Sequence, residues 1–534
     1  MDWNFGDMLD AVGAALGPHD LALAHGERKI YWPEFTARTN RLARALVHLG
    51  AKSGDKAGFY MRNQPEYMEA MAGCFKASLS PVNVNYRYLD DELVYIIDNS
   101  DSTVVFFDVE FIAEVERVRL RLPRVVAWVQ IGGGTAAPFA QDYEQLATTG
   151  DPSPLAGKRS GDEIFLLYTG GTTGLPKGVM WTHNIWREAS MEGVRKMGLP
   201  VPGTMDEHVQ NALAVGRFSR QLPACPLMHG TGWFTAMGAM LNGGAVVTLS
   251  EKAKFSPVNL WNTVEANGVT SMAIVGDAFA KPMLQTLDEN PGRWNLSTVL
   301  NIVSSGVMWS AEVKQGLLRH IQQTALTDSF GASEAVGFGS SVTTADGGTQ
   351  TSKFEIGVSC KVFTEDDREV LPGSGEPGFI ARGGAVPLGY YKDPEKTAKT
   401  YKTIGGMRYA IPGDWCIVEA DGSITLLGRG SNCINTAGEK VYPEEVEEAL
   451  KSHPAVRDAL VVGVPDDKWG QAVTAVVSLE REVSEDELRA FIQSKLARYK
   501  APKRILVKED LGRAPNGKAD YKSIKEFALK ELGL

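Results

Sequence analysis

The sequence predicts an α/β protein, with a large N-terminal body of helix-covered sheets in several subdomains and a small C-terminal α+β domain. Three observations carry this expectation. Strand-like apolar runs alternate with helical patterns over roughly 400 residues, no repeat of fixed period interrupts them, and the texture changes near residue 415. The chain has 534 residues, 43% hydrophobic and 22% charged, a composition that excludes a disordered or collagen-like chain. At roughly 150 residues per domain, the length corresponds to three or four compact units.

Local signals justify each element. Pro65 stands at the first position of a helix running to about Ser78, where its missing amide costs nothing. Ser102–Asp108 and Ile164–Tyr168 read as buried strands. The most apolar stretch, Thr235 to Leu249, is broken by Asn242 and by glycines at 238, 243 and 244, so it reads as a helix followed by a strand. No run approaches the ~18 uninterrupted apolar residues of a membrane span. From Cys416 to Gly428, two strands flank an Asp421-Gly422 turn, a hairpin signal. A helix opened by Pro443 follows, then strands Ala459–Val464 and Ala472–Leu479. Ser484 and Glu487 have capping-box spacing, Val483 is placed to staple against Leu488, and Leu488, Phe491, Ile492 and Leu496 form an apolar stripe. These elements divide the chain into 1–430 and 431–534.

Charge and cysteine usage narrow the function. Asp and Glu number 65 against 55 Lys and Arg, a formal charge of −10, which argues against nucleic acid as the main partner. The five cysteines are dispersed and never in a CxxC pair, as expected of reduced thiols in a cytoplasmic protein. The acidic N-terminal stretch is unlike the basic start of a signal peptide. Glycine is in surplus, 56 residues where ~7% is usual, pointing to tight turns and close backbone approaches.

The most informative segment is Tyr168-Thr169-Gly170-Gly171-Thr172-Thr173-Gly174-Leu175-Pro176-Lys177-Gly178. A strand enters a loop of glycines and hydroxyl residues ending in Lys-Gly, with a helix-like stretch expected beyond. Glycines let amide groups converge on an anion, threonine hydroxyls add donors and the lysine adds charge, so this is a phosphate cradle by composition. It is not a Walker A loop, because Gly178 rather than Ser or Thr follows Lys177.

This loop resembles the signature loop of the adenylate-forming superfamily, which includes acyl-CoA synthetases, nonribosomal-peptide adenylation domains and beetle luciferases. Further matches follow in the family's order: Phe330-Gly331-Ala332-Ser333-Glu334, Gly389-Tyr390-Tyr391 with Pro394-Glu395-Lys396-Thr397, Gly413-Asp414, Gly428-Arg429, Gly438-Glu439-Lys440-Val441-Tyr442-Pro443-Glu444-Glu445 and Pro515-Asn516-Gly517-Lys518. The resemblance covers nearly the whole chain. It implies ATP-dependent activation of a carboxylic acid as acyl-AMP, then attack by the thiol of coenzyme A with release of AMP. Thr169 to Lys177 would hold the β- and γ-phosphates. Glu334 would offer a hard oxygen to Mg²⁺, and Ser333 a hydroxyl to the α-phosphate. Phe330 would face adenine, Gly331 and Asp328 would belong to the same nucleotide site, and Asp414 and Arg429 would contact the ribose. Lys518 would bridge the carboxylate and the α-phosphate. Gly438 would line the pantetheine tunnel, with Lys440 close by in the cofactor site.

The resemblance also implies a mobile C-terminal domain, turning about a hinge near Asn432. The family often has aspartate there, whose charge for a salt link Asn432 lacks, and Asn435 replaces a lysine common a few residues later. Cys433 to Val441 is similar to bacterial fatty-acyl-CoA synthetases, particularly actinobacterial-type ones. Gly170 replaces the serine of the commoner signature loop.

For the acid, Pro226-Leu227-Met228-His229 resembles a motif whose histidine lies at the mouth of the carboxylate site. Trp233 matches a gating tryptophan of some long-chain members, or else is a core aromatic. Ser304-Ser305-Gly306-Val307-Met308 loosely matches an adenine and acyl-wall segment, and Gly276 and Ala332 join the implied pocket. Apart from Asp277, these stretches carry no charge, which disfavours amino acids as substrates. A fatty acid, a steroid-side-chain acid and an aryl acid all stay open, as do transfer to a carrier protein, a homodimer and a catalytically inactive nucleotide sensor. Lys495, Arg498, Lys500, Lys503 and Arg504 form a basic run, either a solvated face or an attractor of the phosphates of CoA.

Overall fold

A computed structural model describes the chain except residues 1, 170–174, 197, 252–253, 308, 348–352, 430–433, 437–438, 467–469, 497, 515–516 and 518, and the side chains at 429, 435, 439, 440 and 470. The residues fall into two compact units, Met1–Gln350 with Arg382–Ala410, and Thr351–Ala381 with Ile411–Leu534.

The first unit contains two helix-covered sheets. One runs, in spatial order, Arg28–Tyr31, Leu21–His25, Ala245–Thr248, Arg220–Pro223, Ser271–Ile274, Asn301–Ser305, Ala325–Ala332 and Ala335–Thr343. Neighbours from Leu21–His25 to Ala325–Ala332 are parallel, while the two outer pairs are antiparallel. Its core includes Leu222, Met272, Ile274, Ile302 and Leu326 on strands, with Trp261, Met283 and Leu317 on covering helices. Continuously apolar strands are what a sheet covered on both faces requires, and each fully buried Leu, Ile or Met contributes about 1.5–3 kcal/mol.

The second sheet runs Gly389–Tyr390, Lys177–Thr182, Ile164–Thr169, Ser80–Asn83, Lys56–Tyr60, Ser102–Asp108, Ala127–Ile131 and Gln141–Asp142. The strand Ser102–Asp108 and the helix Pro65–Lys76 form where the sequence places them. So do the helix Gly230–Leu241 and the strand Ala245–Thr248 within the apolar stretch. One expectation fails. Beyond the signature loop the chain returns as a strand, Lys177–Thr182, antiparallel to Ile164–Thr169, and the helix begins only at His183. Val, Trp and Thr suit a strand, and pairing with Ile164–Thr169 on one side and Gly389–Tyr390 on the other decides for it.

In the second unit the expected hairpin forms, as Asp414–Val418 and Ile424–Arg429. A separate sheet then runs Glu439–Val441, Ile434–Thr436, Gly470–Leu479 and Val456–Asp466, with Arg504–Val507 parallel to Gly470–Leu479. Alternation along Val456–Asp466 sends Ala459 and Val461 to one face, and Leu460, Val462 and Val464 to the other. Helices Pro443–Lys451 and Glu485–Lys495 cover the first face, and Tyr521–Leu532 covers the second. The expected capping box is half-formed: Ser484 Oγ accepts from the Glu487 amide at 3.2 Å, but the Glu487 carboxylate lies 3.6 Å from His453 Nε2 instead of returning to the cap. Val483 and Leu488 share one core, as the staple requires.

Candidate active site

Parallel strands deliver the segments expected to face the acid to one edge of the first sheet. Arg220–Pro223, Ser271–Ile274, Asn301–Ser305 and Ala325–Ala332 all run the same way. Their carboxyl ends lead into the turn ending at His229, into Gly276, into Ser305-Gly306-Val307 and into Asp328–Glu334. In open parallel sheets this edge is where ligands bind. Register places Ser304 opposite Asp328 and Ser305 opposite Ser329. The Gly276 amide donates to Ser304 Oγ at 2.8 Å, and Val307 packs on the core beneath.

His229 is half-buried and occupies the N-cap position of the helix Gly230–Leu241, without a side-chain capping bond. Two asparagines hold the turn before it. Asn63 Oδ1 accepts from the Leu227 amide at 2.7 Å, and its Nδ2 donates to the Cys225 carbonyl at 2.9 Å. Asn83 Nδ2 donates to the carbonyls of Met228, at 2.6 Å, and Tyr168, at 2.9 Å, while its Oδ1 accepts from the Tyr168 amide at 2.6 Å. Asn83 therefore ties the residue before His229 to the residue before Thr169. Sequence reasoning missed it. The available signal was slight, an amide following Pro81-Val82 at the end of a strand that is buried throughout, since a buried amide must find partners.

Trp233 is fully buried, its ring 6.1 Å from Phe59, 5.9 Å from Tyr67 and 6.4 Å from Phe165. Its place is the aromatic core, one of the two roles open to it on sequence. Among the described residues its Nε1–H meets no acceptor. Trp233→Ala is expected to destabilise the protein by about 3–5 kcal/mol, read as a lower urea midpoint, and Trp233→Phe by distinctly less.

Several of the residues expected to serve the phosphates lie around the hairpin in the first unit. Thr169 and Lys177 are directly opposite across the base of the signature loop, whose residues Gly170, Gly171, Thr172, Thr173 and Gly174 lie outside the described residues. Position 178 must be glycine, because a Cβ there would lie 2.7 Å from the Tyr168 ring. Lys177 Nζ pairs with Asp393 Oδ2 at 2.7 Å, and Asp393 also caps the helix Pro394–Thr400 through the Lys396 amide. The hydrogen bond from Lys177 holds the Asp393 carboxyl below its ordinary pKa, and the same bond raises the lysine.

Glu334 and Ser333 reach the same place. The strand Gly389–Tyr390 pairs with Lys177–Thr182, Tyr390 opposite Val179, and Tyr390 Oη donates to Glu334 Oε1 at 2.6 Å. Trp181 Nε1 donates to the Ser333 carbonyl at 3.0 Å. Phe330 is buried with its ring 5.2 Å from Phe338, and Gly331 and Ala332 are half-buried beside it. Asp328 has a partner the sequence did not suggest, an ion pair with the wholly buried Lys314. Burial nevertheless pushes its carboxyl above the usual range.

The second unit holds the remaining residues. Asp414 is buried, and register sets Arg429 directly opposite it. Lys440 pairs with Asn435 through the backbone, whereas Asn432, Gly438 and Lys518 lie outside the described residues. Of the basic run, Lys495 Nζ donates to Ser452 Oγ at 2.9 Å and Lys500 pairs with Glu445 at 2.5 Å, so both are engaged within their own unit.

The donor set fits magnesium. Among the described residues no cluster of three or more His, Cys, Asp or Glu exists that could cage a metal. A single buried carboxylate, Glu334, with one oxygen taken by Tyr390, suits a cation that uses one or two carboxylates, retains waters and is otherwise held by substrate phosphates.

Comparison with known proteins defines the class. The AMP-binding enzyme family matches residues 12–391, and the AMP-binding enzyme C-terminal domain matches residues 445–518. The chain belongs to the AMP-binding enzyme family. It is 40% identical to the 3-oxocholest-4-en-26-oate–CoA ligase of Rhodococcus rhodochrous, covering 98% of this chain and 96% of the relative. It is 38% identical, with the same coverages, to the medium/long-chain-fatty-acid–CoA/3-oxocholest-4-en-26-oate–CoA ligase of Mycobacterium tuberculosis. The crystal structure of an anthranilate CoA ligase with anthranoyl-AMP shares the fold, with a TM-score of 0.83 at 22% identity over 100% of this chain and 98% of that one. Within the family this chain is an acid–thiol ligase, an AMP-forming acyl-CoA synthetase that makes acyl-AMP and then the CoA thioester.

Proposed function

We propose that the acid is large and apolar, either a medium- or long-chain fatty acid or a steroid-side-chain acid, and that the enzyme works in the cytoplasm. The observation that carries the apolar assignment concerns Asp277, the one charged residue in the implied acyl-pocket segments. Its Oδ1 already accepts from the Ser310 amide at 3.0 Å and from Ser310 Oγ at 3.2 Å. A carboxylate committed to a neighbouring turn is a poor partner for a substrate ammonium, and an unpaired buried charge is costly. The two relatives, both acting on 3-oxocholest-4-en-26-oate and one also on fatty acids, support the same class.

In this reading residues 1–430 form the adenylation body and 431–534 the cap, turning near Asn432. Thr169 to Lys177 hold the terminal phosphates, Ser333 the α-phosphate, Phe330, Gly331, Ser305, Gly306 and Asp328 the nucleoside side, and Asp414 and Arg429 the ribose. Glu334 holds Mg²⁺, which when bound neutralises phosphate charge. His229 stands at the carboxylate mouth, with Gly276, Val307 and Ala332 along the acyl wall. Gly438 and Lys440 serve CoA, and Lys518 bridges the two reactants of the first step.

ATP–pyrophosphate exchange with a panel of fatty, steroid-side-chain, aryl and amino acids tests the proposal. Exchange is expected with the first two classes. Exchange confined to aryl or amino acids would overturn the apolar assignment, and AMP release that needs a carrier protein instead of CoA would overturn the acceptor.

A further inference from the structure

Gly517, before Lys518 in the chain, and Asp520 and Tyr521, after it, are each held by contacts within the second unit. On the N-terminal side Arg513 forms a two-pronged pair with Asp458, Nε to Oδ2 at 2.6 Å and one terminal nitrogen to Oδ1 at 2.9 Å. The other terminal nitrogen of the same guanidinium donates to the Gly517 carbonyl at 3.1 Å, and that carbonyl belongs to the peptide bond joining Gly517 to Lys518. Gly517 is buried with φ +73°, and its amide closes the turn onto the Ala514 carbonyl at 2.8 Å. On the C-terminal side Asp520 caps the helix Tyr521–Leu532 through the Ser523 amide, and Tyr521 Oη donates to the fully buried Glu447. Glu447 in turn accepts the Val461 amide at 2.8 Å, on the strand that also carries Asp458. Burial works to raise the Asp458 carboxyl, but the hydrogen bonds and charge of Arg513 outweigh it and hold the carboxyl below its ordinary value.

With side chains only 19% and 24% exposed, the pair is largely buried, and breaking it would destabilise the second unit. A guanidinium whose fork is fixed by a carboxylate also presents its remaining donors in a set plane. Here that plane meets the backbone one bond from the lysine. We propose that Arg513, locked by Asp458, is a positioning residue for adenylation, acting on Lys518 through the carbonyl of Gly517, its neighbour in the chain. The proposal rests on the role assigned to Lys518 above.

The test compares two half-reactions of the full-length enzyme: ATP–pyrophosphate exchange with the best acid of the panel, and thioester formation from synthetic acyl-AMP and CoA. Arg513→Gln is expected to lower the exchange kcat by roughly ten- to a hundredfold, the usual consequence of misplacing a catalytic group by about 1 Å. Thioester formation and the KM for ATP are expected to stay within about twofold, because neither uses the lysine in this reading. Asp458→Asn, which keeps the shape but loosens the fork, is expected to follow in the same direction, and Arg513→Lys to recover part of the loss. In a Lys518→Ala background, Arg513→Gln is expected to lower the residual exchange no further, since the two act as one unit. Equal losses in both half-reactions, in a variant with wild-type thermal midpoint, would show a structural role and overturn the proposal. If Arg513→Gln does not fold, Arg513→Lys decides on the same readouts: selective loss of exchange supports the proposal and parallel loss overturns it. A fully active Arg513→Gln beside an inactive Lys518→Ala overturns the positioning role alone, whereas full exchange in Lys518→Ala removes the parent reading itself.

Discussion

Lys518→Ala is expected to reduce acyl-adenylate formation about 10³-fold while leaving thioester formation from preformed acyl-AMP within about twofold of wild type. The reason lies in the charges of the first step. A carboxylate must approach an α-phosphate that is itself negative, and two unit charges 4 Å apart repel by about 1 kcal/mol in water but about 4 kcal/mol at an effective dielectric of 20. A cation held between them turns that repulsion into two attractions, and fixed in a water-excluded site it is worth several kcal/mol. The thioester step has other needs. Its electrophile, the acyl carbon of the mixed anhydride, is already made and AMP is the leaving group, so no carboxylate has to be brought against the α-phosphate. Rapid-quench measurement of the two steps separates them. Comparable losses in both would remove Lys518 from adenylation and leave the phosphate-side residues of the first unit to carry that step.

Elements with local causes were legible in the sequence. Pro65 and Pro443 mark helix starts that the structure keeps, and the Asp421-Gly422 turn does close a hairpin, with Gly422 at φ +82°. The strand Lys177–Thr182 was not legible, because Gly-Val-Met-Trp is compatible with either a helix or a strand. Its state is decided by pairing with Ile164–Thr169 on one side and Gly389–Tyr390 on the other, the latter more distant in sequence than any local rule can see. Ser484 shows the same limit on a smaller scale, since its hydroxyl caps as expected but Glu487 finds His453 instead.

The candidate site divides along the same line. Lys177, Ser333, Glu334 and Tyr390 could be picked out as motif members, but only the fold shows that Tyr390 holds Glu334 and that Asp393 holds Lys177. Asn83 and the Lys314–Asp328 pair left almost no mark in the sequence. An asparagine or a lysine is ordinary in any chain, and its meaning comes from burial beside a partner. The motif residues are those that chemistry fixes by type, and the supporting residues are those that geometry fixes by place.

Glu334→Gln is the second substitution expected to have a large effect, because it separates the charge of this residue from its shape. The residue is 7% exposed, and Oε1 accepts from Tyr390 Oη. A glutamine fits the same space and keeps an oxygen for the tyrosine, so the fold and the thermal midpoint are expected to be retained. The loss is a hard anionic oxygen, which a glutamine carbonyl replaces poorly for a cation that binds few protein ligands. Exchange is expected to fall roughly 10²- to 10³-fold, the scale of removing one preorganised electrostatic contact, with half-maximal exchange moving to higher magnesium concentration. Tyr390→Phe provides the contrast. It leaves the carboxylate charged but releases its orientation, so about a tenfold fall is expected, on the scale of one hydrogen bond to a charged group. If Tyr390→Phe is as damaging as Glu334→Gln, or if the magnesium dependence of Glu334→Gln is unchanged, Glu334 acts through the packing of the tyrosine and not through its charge, and the metal must be held by other groups.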